Sequence, residues 1–444
     1  MFKQFSRSSI LFFGGALLVF LVVQVLISTG VLNVFWLTLI RIGAVMAIVS
    51  LGLNLIYGFN GQFSLGQWGF YALGAYAAAD ITYWWHNEKS ASALVVVLLA
   101  TLFVGAAILI LRRLFSRVRG LDAMSAFALY LVVVIMLVYV AVLLSKPLAP
   151  VVSNLLLTLP PAASMQVVFV LAVLLAGLVA AEISFILGLP VLTLGSDYFG
   201  IATLGFTIIV KVLLDNSDTM FGFAEMKGAR GMIGIPKLSS WFWIFFFLFL
   251  AVVITRNLLH SSYGRAIVSV REDEVAAKAM GIDVAHYKTL TFVLGSYFAG
   301  VAGALYAHIN GFLHPNEFNF IKSFDPMIIV VFGGLGSVTG TIGASFAWAL
   351  ILEGFLRLFL PQGFETWRFV VYPLLLLLVM LLKPKGLFGD YVIPFLRQML
   401  PPLAPTAAAR QEEGERPVLT TSAGAVSFPG GNPNEIPPAQ EIRE

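Results

Sequence analysis

The side chains best able to do chemistry in this chain are packed into one stretch. Residues 264–282 read GRAIVSVREDEVAAKAMGI, with Arg271, Glu272, Asp273 and Glu274 in consecutive positions and Lys278 one turn further on. Such a run offers ion pairs and charge-assisted hydrogen bonds. Alanine, glutamate and lysine favour helix, and Gly281 is a natural stop after Met280. Val275, Ala276, Ala279 and Met280 fall at helical spacing and form a small apolar face beside the charged one. A short helix of this kind suits the docking of a soluble partner; the same composition also suits a solvated connecting loop. Other chemistry finds few residues. The five histidines are dispersed with no HExxH-type pattern, and the absence of cysteine removes disulfides and thiolate sites. GGLGSVTG at 333–340 is out of register with GxGxxG and sits in no βαβ pattern, and GxxxxGK[ST] is absent. The residues point to docking, with no catalytic constellation and no ATP-hydrolysing loop.

What must position that segment is a membrane domain. The chain is 59% hydrophobic and 11% charged, against about 25% charged residues in a soluble domain. Long apolar runs indicate helices rather than a barrel. Runs at about 10–28, 35–57, 67–85 and 91–111 are followed by Arg112, Arg113, Arg117 and Arg119, the densest basic cluster. Lys3 and Arg7 place the N-terminus inside, with a retained first helix preferred to a signal peptide. Four crossings then put the arginine cluster inside as well, as basic loops require. Runs at 123–144 and 165–187 bracket a proline-rich loop (Pro147, Pro150, Pro160, Pro161) expected outside; 198–214 leads out and 241–255 leads back in. Residues 264–282 therefore fall on the cytoplasmic side. After 289–309 comes a Gly-rich region, 327–360, and a last run at 369–382 stopped by Lys383 and Lys385.

The expected fold is all-α, a polytopic membrane helical bundle of about 10–12 hydrophobic segments with discontinuous or re-entrant Gly-rich helices. Residues 1–400 form the membrane domain, with a cytoplasmic loop at about 256–288 and both termini inside. Residues 401–444, rich in Pro, Gly, Glu and Ala, are expected to be disordered. They carry six acids and three bases, so of the net +4 the tail holds −3 and the remainder +7. No Lys/Arg patch falls on a soluble domain, which argues against nucleic acid as a partner.

Three Gly-rich stretches interrupt the apolar runs: YGFNGQFSLGQWGFYALGAY (57–76), LTLGSDYFGIATLGF (192–206) and VFGGLGSVTGTIG (331–343). The first two share a loose L-G-x-x-x-F core about 130 residues apart, a faint internal repeat. Clustered glycines either let helices pack closely or permit breaks whose backbone groups line a cavity. Both readings stay open on the glycines alone. Arg41, Asp80, Glu182, Lys211, Glu353 and Arg357 lie in or at the ends of apolar runs, and Glu353 and Arg357 are spaced to pair. They form no ladder of carboxylates of the kind a proton-driven carrier uses.

GLNLIYGFNGQFSLGQWGFYALGAY, YFGIATLGF, GMIGIPK, GRAIVSVREDEVAAKAMGI, ALYAH, VVFGGLGSVTGTIGA and KPKGLFG follow one another between about 52 and 389. In that order they resemble the LivM-type permease of branched-chain amino acid ABC transporters. Ala276-Ala277-x3-Gly281 resembles the EAA coupling loop of ABC importer permeases, with Glu274 one position early. Gln67 stands where such permeases often carry His, residues 195–200 lack the usual nearby arginine, and 228–236 lacks the fuller TGGxxG form.

The resemblance implies a translocation subunit without covalent chemistry or a bound cofactor. ATP and Mg would be used by two cytosolic ATPase subunits. A LivH-type partner permease would complete the pathway, a periplasmic substrate-binding protein would feed it, and membrane lipid would surround it in a bacterial inner membrane. On this reading Arg271, Glu272, Asp273, Glu274, Ala276, Ala277 and Gly281 couple to the ATPases, with Arg271 and Glu274 in charge-assisted contact with their groove. Gln62, Ser64, Gln67, Tyr198, Phe199 and Thr203 line the pathway. The cargo is a branched-chain or other small apolar amino acid. Urea or short amides carried by the same machinery, an ion-coupled secondary carrier, and a membrane enzyme or scaffold remain as alternatives.

Overall fold

The computed structural model describes residues 7–115, 123–220 and 225–355, together with Leu374. Arg117, Arg119, Arg357, the run at 369–382 apart from Leu374, and the tail 401–444 lie outside the described residues, as does the side chain of Arg112.

The described chain is helical almost throughout. Helices α1 (Arg7–Ser28) and α2 (Val34–Leu53) lead into a wide π-type turn, Asn54–Phe59; an irregular segment then reaches α3 (Gln67–Glu88). Helices α4 (Ser92–Phe115), α5 (Ala123–Leu157) and α6 (Pro161–Val191) follow, then α7 (Ser196–Asp215) and the short α8 (Ser217–Met220). Strand β1 (Met232–Ile233) precedes α9 (Trp241–His260), α10 (Ser262–Glu272), α11 (Glu274–Ala279) and α12 (Val284–Asn310). Strand β2 (Phe312–Leu313) pairs antiparallel with β1, and α13 (Phe324–Gly333) and α14 (Val338–Trp348) close the described chain with a second π-type stretch, Ala349–Phe355. Seven of these helical stretches are long and apolar enough to cross a membrane, among them Val34–Phe59, Tyr198–Asp215 and Val284–Asn310. The chain is a multi-pass, all-α membrane protein.

Helix α12 is the axis of the bundle and packs on α2, α3 and α6. Over 18-residue stretches 72% of α12 is buried, against 11% in α5, so α12 lies inside the bundle and α5 at its outside. Small residues make this packing possible, because lipid supplies no hydrophobic drive between helices and close contact must replace it. Gly295 and Gly52 face each other so closely that a Cβ on either would come within 2.5–2.6 Å of the other's carbonyl oxygen. Gly300 meets Gly74 of α3 and Ala176 of α6, and Gly303 abuts the carbonyl of Tyr71. Both meanings of the glycines are realised: these pack helices, whereas residues 60–66, 192–195 and 334–337 break them.

One expected loop is helix. Pro147 and Pro150 lie inside α5, which runs 35 residues, and only residues 158–160 separate it from α6. The stretch continues as apolar as before, with Leu148, Val151 and Leu155 exposed. In hydrocarbon the helix satisfies most of its backbone groups even with a proline in it, which an open loop does not. Lys211, at the end of α7, pairs with Asp215 at 2.6 Å.

Candidate functional site

Residues 261–288 fold into a compact unit at one end of the bundle. Ser261 caps α10, and α10 ends where Asp273 turns extended (φ −157°, ψ 109°). The Asp273 carboxylate then accepts from Val275 N and Ala276 N, each at 2.9 Å, and so starts α11. Gly281 stops it in the left-handed region (φ 81°), a backbone that favours glycine. Ile282 N donates back to Ala277 O at 3.0 Å. Val270, Ala277 and Val284 form a small buried core beneath, with Ile282 and Tyr287 against it.

The opposite face is open. Val275 and Met280 are 78% and 82% exposed, and Ala276 and Ala279 are exposed between them. This is the apolar face expected from the spacing, and α11 presents it away from the bundle.

The charges are engaged within the chain. Glu274 accepts from Lys288 of α12 at 2.7 Å and pairs with Lys278 at 3.2 Å, which fastens α11 to α12. The Lys288 ammonium, through that hydrogen bond, holds the Glu274 carboxyl below the usual carboxylate range. Arg271 turns inward: its Nε and Nη2 bond Glu272, and its Nη1 donates to Gly58 O at 2.6 Å. Gly58 lies in the π-type turn that ends α2.

Beside that turn, Asn54 is fully buried and uses both ends of its amide. Its Nδ2 donates to Ser337 O (3.1 Å) and Thr341 Oγ1 (3.0 Å), while its Oδ1 accepts from Gly336 N (3.0 Å). One side chain thus joins the first break to the third.

The first break also packs against α7, the helix that follows the second break. Leu65 N donates to Thr203 Oγ1 at 3.0 Å, Thr207 Oγ1 donates to Leu65 O at 3.4 Å, and the Phe70 and Phe206 rings lie 4.6 Å apart. Gln62, Ser64, Gln67, Phe199 and Thr203 are all buried there, whereas Tyr198 is 69% exposed. Among the described residues, Gln62 Oε1 and both amide atoms of Gln67 are buried without a hydrogen-bond partner. Buried amides are normally satisfied, so these atoms hold unused hydrogen-bonding capacity.

The three regions converge on a cleft of about 440 Å³. Its walls are Asn60–Gln62, Leu192–Gly195 with Phe199, and Val270–Glu274 with Lys288. Gln62 and Phe199 therefore line the same cleft as the charged segment; Ser64, Gln67 and Thr203, all buried, and Tyr198 are not part of the lining. Asn54, Asn60 and Lys288 were not singled out from sequence. The signal for Asn54 was a lone amide in an apolar run, GLNLIYGF. Glu317 was missed too: its carbonyl accepts from the Trp68 indole at 2.9 Å, and its carboxylate from Tyr306 Oη at 3.3 Å.

The chain matches the family model described as "Branched-chain amino acid transport system / permease component" over residues 35–150 and 139–381. It is 33% identical over 242 residues to the high-affinity branched-chain amino acid transport system permease protein LivM of Salmonella typhimurium, covering 48% of this chain and 56% of the relative. It is 26% identical over 237 residues to a probable LivM of Methanocaldococcus jannaschii, covering 50% and 69%. The LivH permease of Escherichia coli is 30% identical over 176 residues, covering 40% and 54%. The match thus spans just over half the length of the Salmonella relative. No solved structure matches. The family model takes in the three helix breaks, the cleft and the segment at 264–282, and by that match the chain belongs to the branched-chain amino acid transport system permease family.

Proposed function

We propose that the chain is the membrane-spanning permease subunit of an ATP-driven importer for branched-chain or other small apolar amino acids. In this reading residues 1–400 form the permease in the bacterial inner membrane. Both termini, the loop at about 256–288 and the tail 401–444 are cytoplasmic. A LivH-type permease completes the pathway, and a periplasmic binding protein delivers the substrate. Two cytosolic ATPase subunits use ATP and Mg, and the chain itself performs no hydrolysis. The relatives' names supply the substrate class, and the LivH likeness supports a partner permease of related sequence.

The observation that carries the proposal is the meeting of the charged segment with two helix breaks at one cleft. An exposed apolar face of Val275, Ala276, Ala279 and Met280, rimmed by Glu274 and Lys278, gives a soluble ATPase something to grip. Ala276 and Gly281 keep that face low and allow close approach. The unit behind the face is rigid, so a push on α11 reaches the mouth of the pathway. Substrate passes Gln62, Ser64, Gln67, Phe199 and Thr203, and access alternates as a two-state change.

The test is the variant Met280→Arg, or Ala276→Trp, in the assembled transporter. Each leaves the buried face of α11 intact, so the chain still reaches the membrane. Each is expected to lower retention of the ATPase subunits about tenfold or more, the scale of losing an interface anchor. Full retention with undiminished ATP-driven uptake in both variants overturns the reading.

A further inference from the structure

We propose that Arg271 is a strut that ties the docking segment to the broken helices of the pathway, a positioning role that rests on the reading above. Its Nη1 donates to Gly58 O, a residue 213 positions earlier in the chain. Gly58 sits in the last turn before residue 60, where carbonyls lack a helical partner and carry the negative end of the helix dipole. A cation there is doubly favoured.

The surroundings are shaped for this side chain. A Cβ on Gly61 would lie 3.0 Å from Arg271 Cγ, and one on Gly336 would lie 3.2 Å from Nη1. Two different helix breaks thus lack side chains at the points where the arginine passes. The Arg271 side chain is 25% exposed, and Glu272 holds the guanidinium edge that Gly58 does not use. From Gly58 the connection continues through Asn54, four residues back on the same turn, to the 334–337 turn and Thr341. A displacement of α10 and α11 therefore pulls on both breaks through one rigid, permanently charged fork. Lysine, a point charge on a flexible stem, holds the carbonyl by one bond without that geometry.

Two readouts separate this role from docking. In the full chain alone, with Val338→Cys, buried directly after the 334–337 turn, as the only thiol, Arg271→Gln is expected to raise labelling by a hydrophilic maleimide severalfold, while Glu272→Gln does not. In the assembled transporter, Arg271→Gln is expected to retain the ATPase subunits yet lose about tenfold in uptake per ATP hydrolysed, the scale of one charged hydrogen bond. Arg271→Lys falls between it and the native chain. Unchanged labelling, or unchanged uptake per ATP, overturns the strut. Loss of the ATPase subunits from Arg271→Gln overturns it too, because Arg271 then belongs to the docking surface. A native chain that holds no ATPase subunit overturns the function proposed above instead, and the labelling comparison still decides the strut.

Discussion

At the scale of single residues, the site depends on side chains that satisfy backbone groups left over where helices break. Asn54 is the clearest case, because it serves a donor and two acceptors at once. Asn54→Leu leaves the Gly336 N–H without its partner, while Ser337 C=O keeps the Thr341 amide and hydroxyl; the cost is about 1–3 kcal/mol for the unsatisfied donor. A lowered melting temperature in detergent measures it, and Asn54→Asp is expected to fall as well because it loses the donor.

Glu274 makes a prediction about pH. Its carboxyl is held below the ordinary range by the Lys288 hydrogen bond, so the clamp contributes fully above the unperturbed value of about 4.3. It is lost only as pH falls through the lower folded value. A spin label on α11 should show constant mobility from about pH 5 to 8 and rising mobility below about pH 4. Glu274→Gln should show the raised mobility throughout. A transition near neutral pH contradicts the clamp.

At the scale of elements, glycine positions separate packing from breaking. Gly303→Ala drives a methyl into the Tyr71 carbonyl and should part α12 from α3, costing about 1–3 kcal/mol as overpacking does. Gly205, on α7, has open space where a Cβ would go, so Gly205→Ala is expected to be neutral or slightly stabilising. Thermal unfolding of the two variants side by side checks the contrast.

The elements were largely legible in sequence. Apolar length located α2, α6, α7, α9 and α12, and charge density located residues 271–274. The breaks were legible as glycine clusters, but which glycines pack and which break depends on what faces them. Pro147 and Pro150 misled because proline ends helices in water, where a loop finds hydrogen bonds that lipid does not supply. The inward turn of Arg271 was not legible, since it depends on bringing Gly58, Gly61 and Gly336 together from distant parts of the chain. Tyr198 and Phe199 show the same limit: adjacent in sequence, one is exposed and the other lines the cleft.

At the scale of the whole molecule, the exposed apolar face on α11, the compact unit behind it and the cleft bounded by two helix breaks are the parts of the proposed lever. Gln62, on the cleft wall, and Thr203, fully buried, should therefore respond differently to the transport cycle. In the cysteine-free chain, Gln62→Cys is expected to react with hydrophilic thiol reagents at rest. Thr203→Cys should become reactive only when nucleotide is supplied to the assembled transporter. Equal protection of both in every nucleotide state contradicts a pathway through these residues.

The central claim is that this permease is driven by ATPase subunits rather than by an ion gradient. The direct measurement is uptake of labelled leucine, isoleucine or valine by vesicles carrying the chain with its partner permease, ATPase subunits and binding protein. Accumulation is expected to require ATP and Mg inside the vesicle and to survive collapse of the proton and sodium gradients. Accumulation that follows an imposed ion gradient and ignores ATP would contradict it.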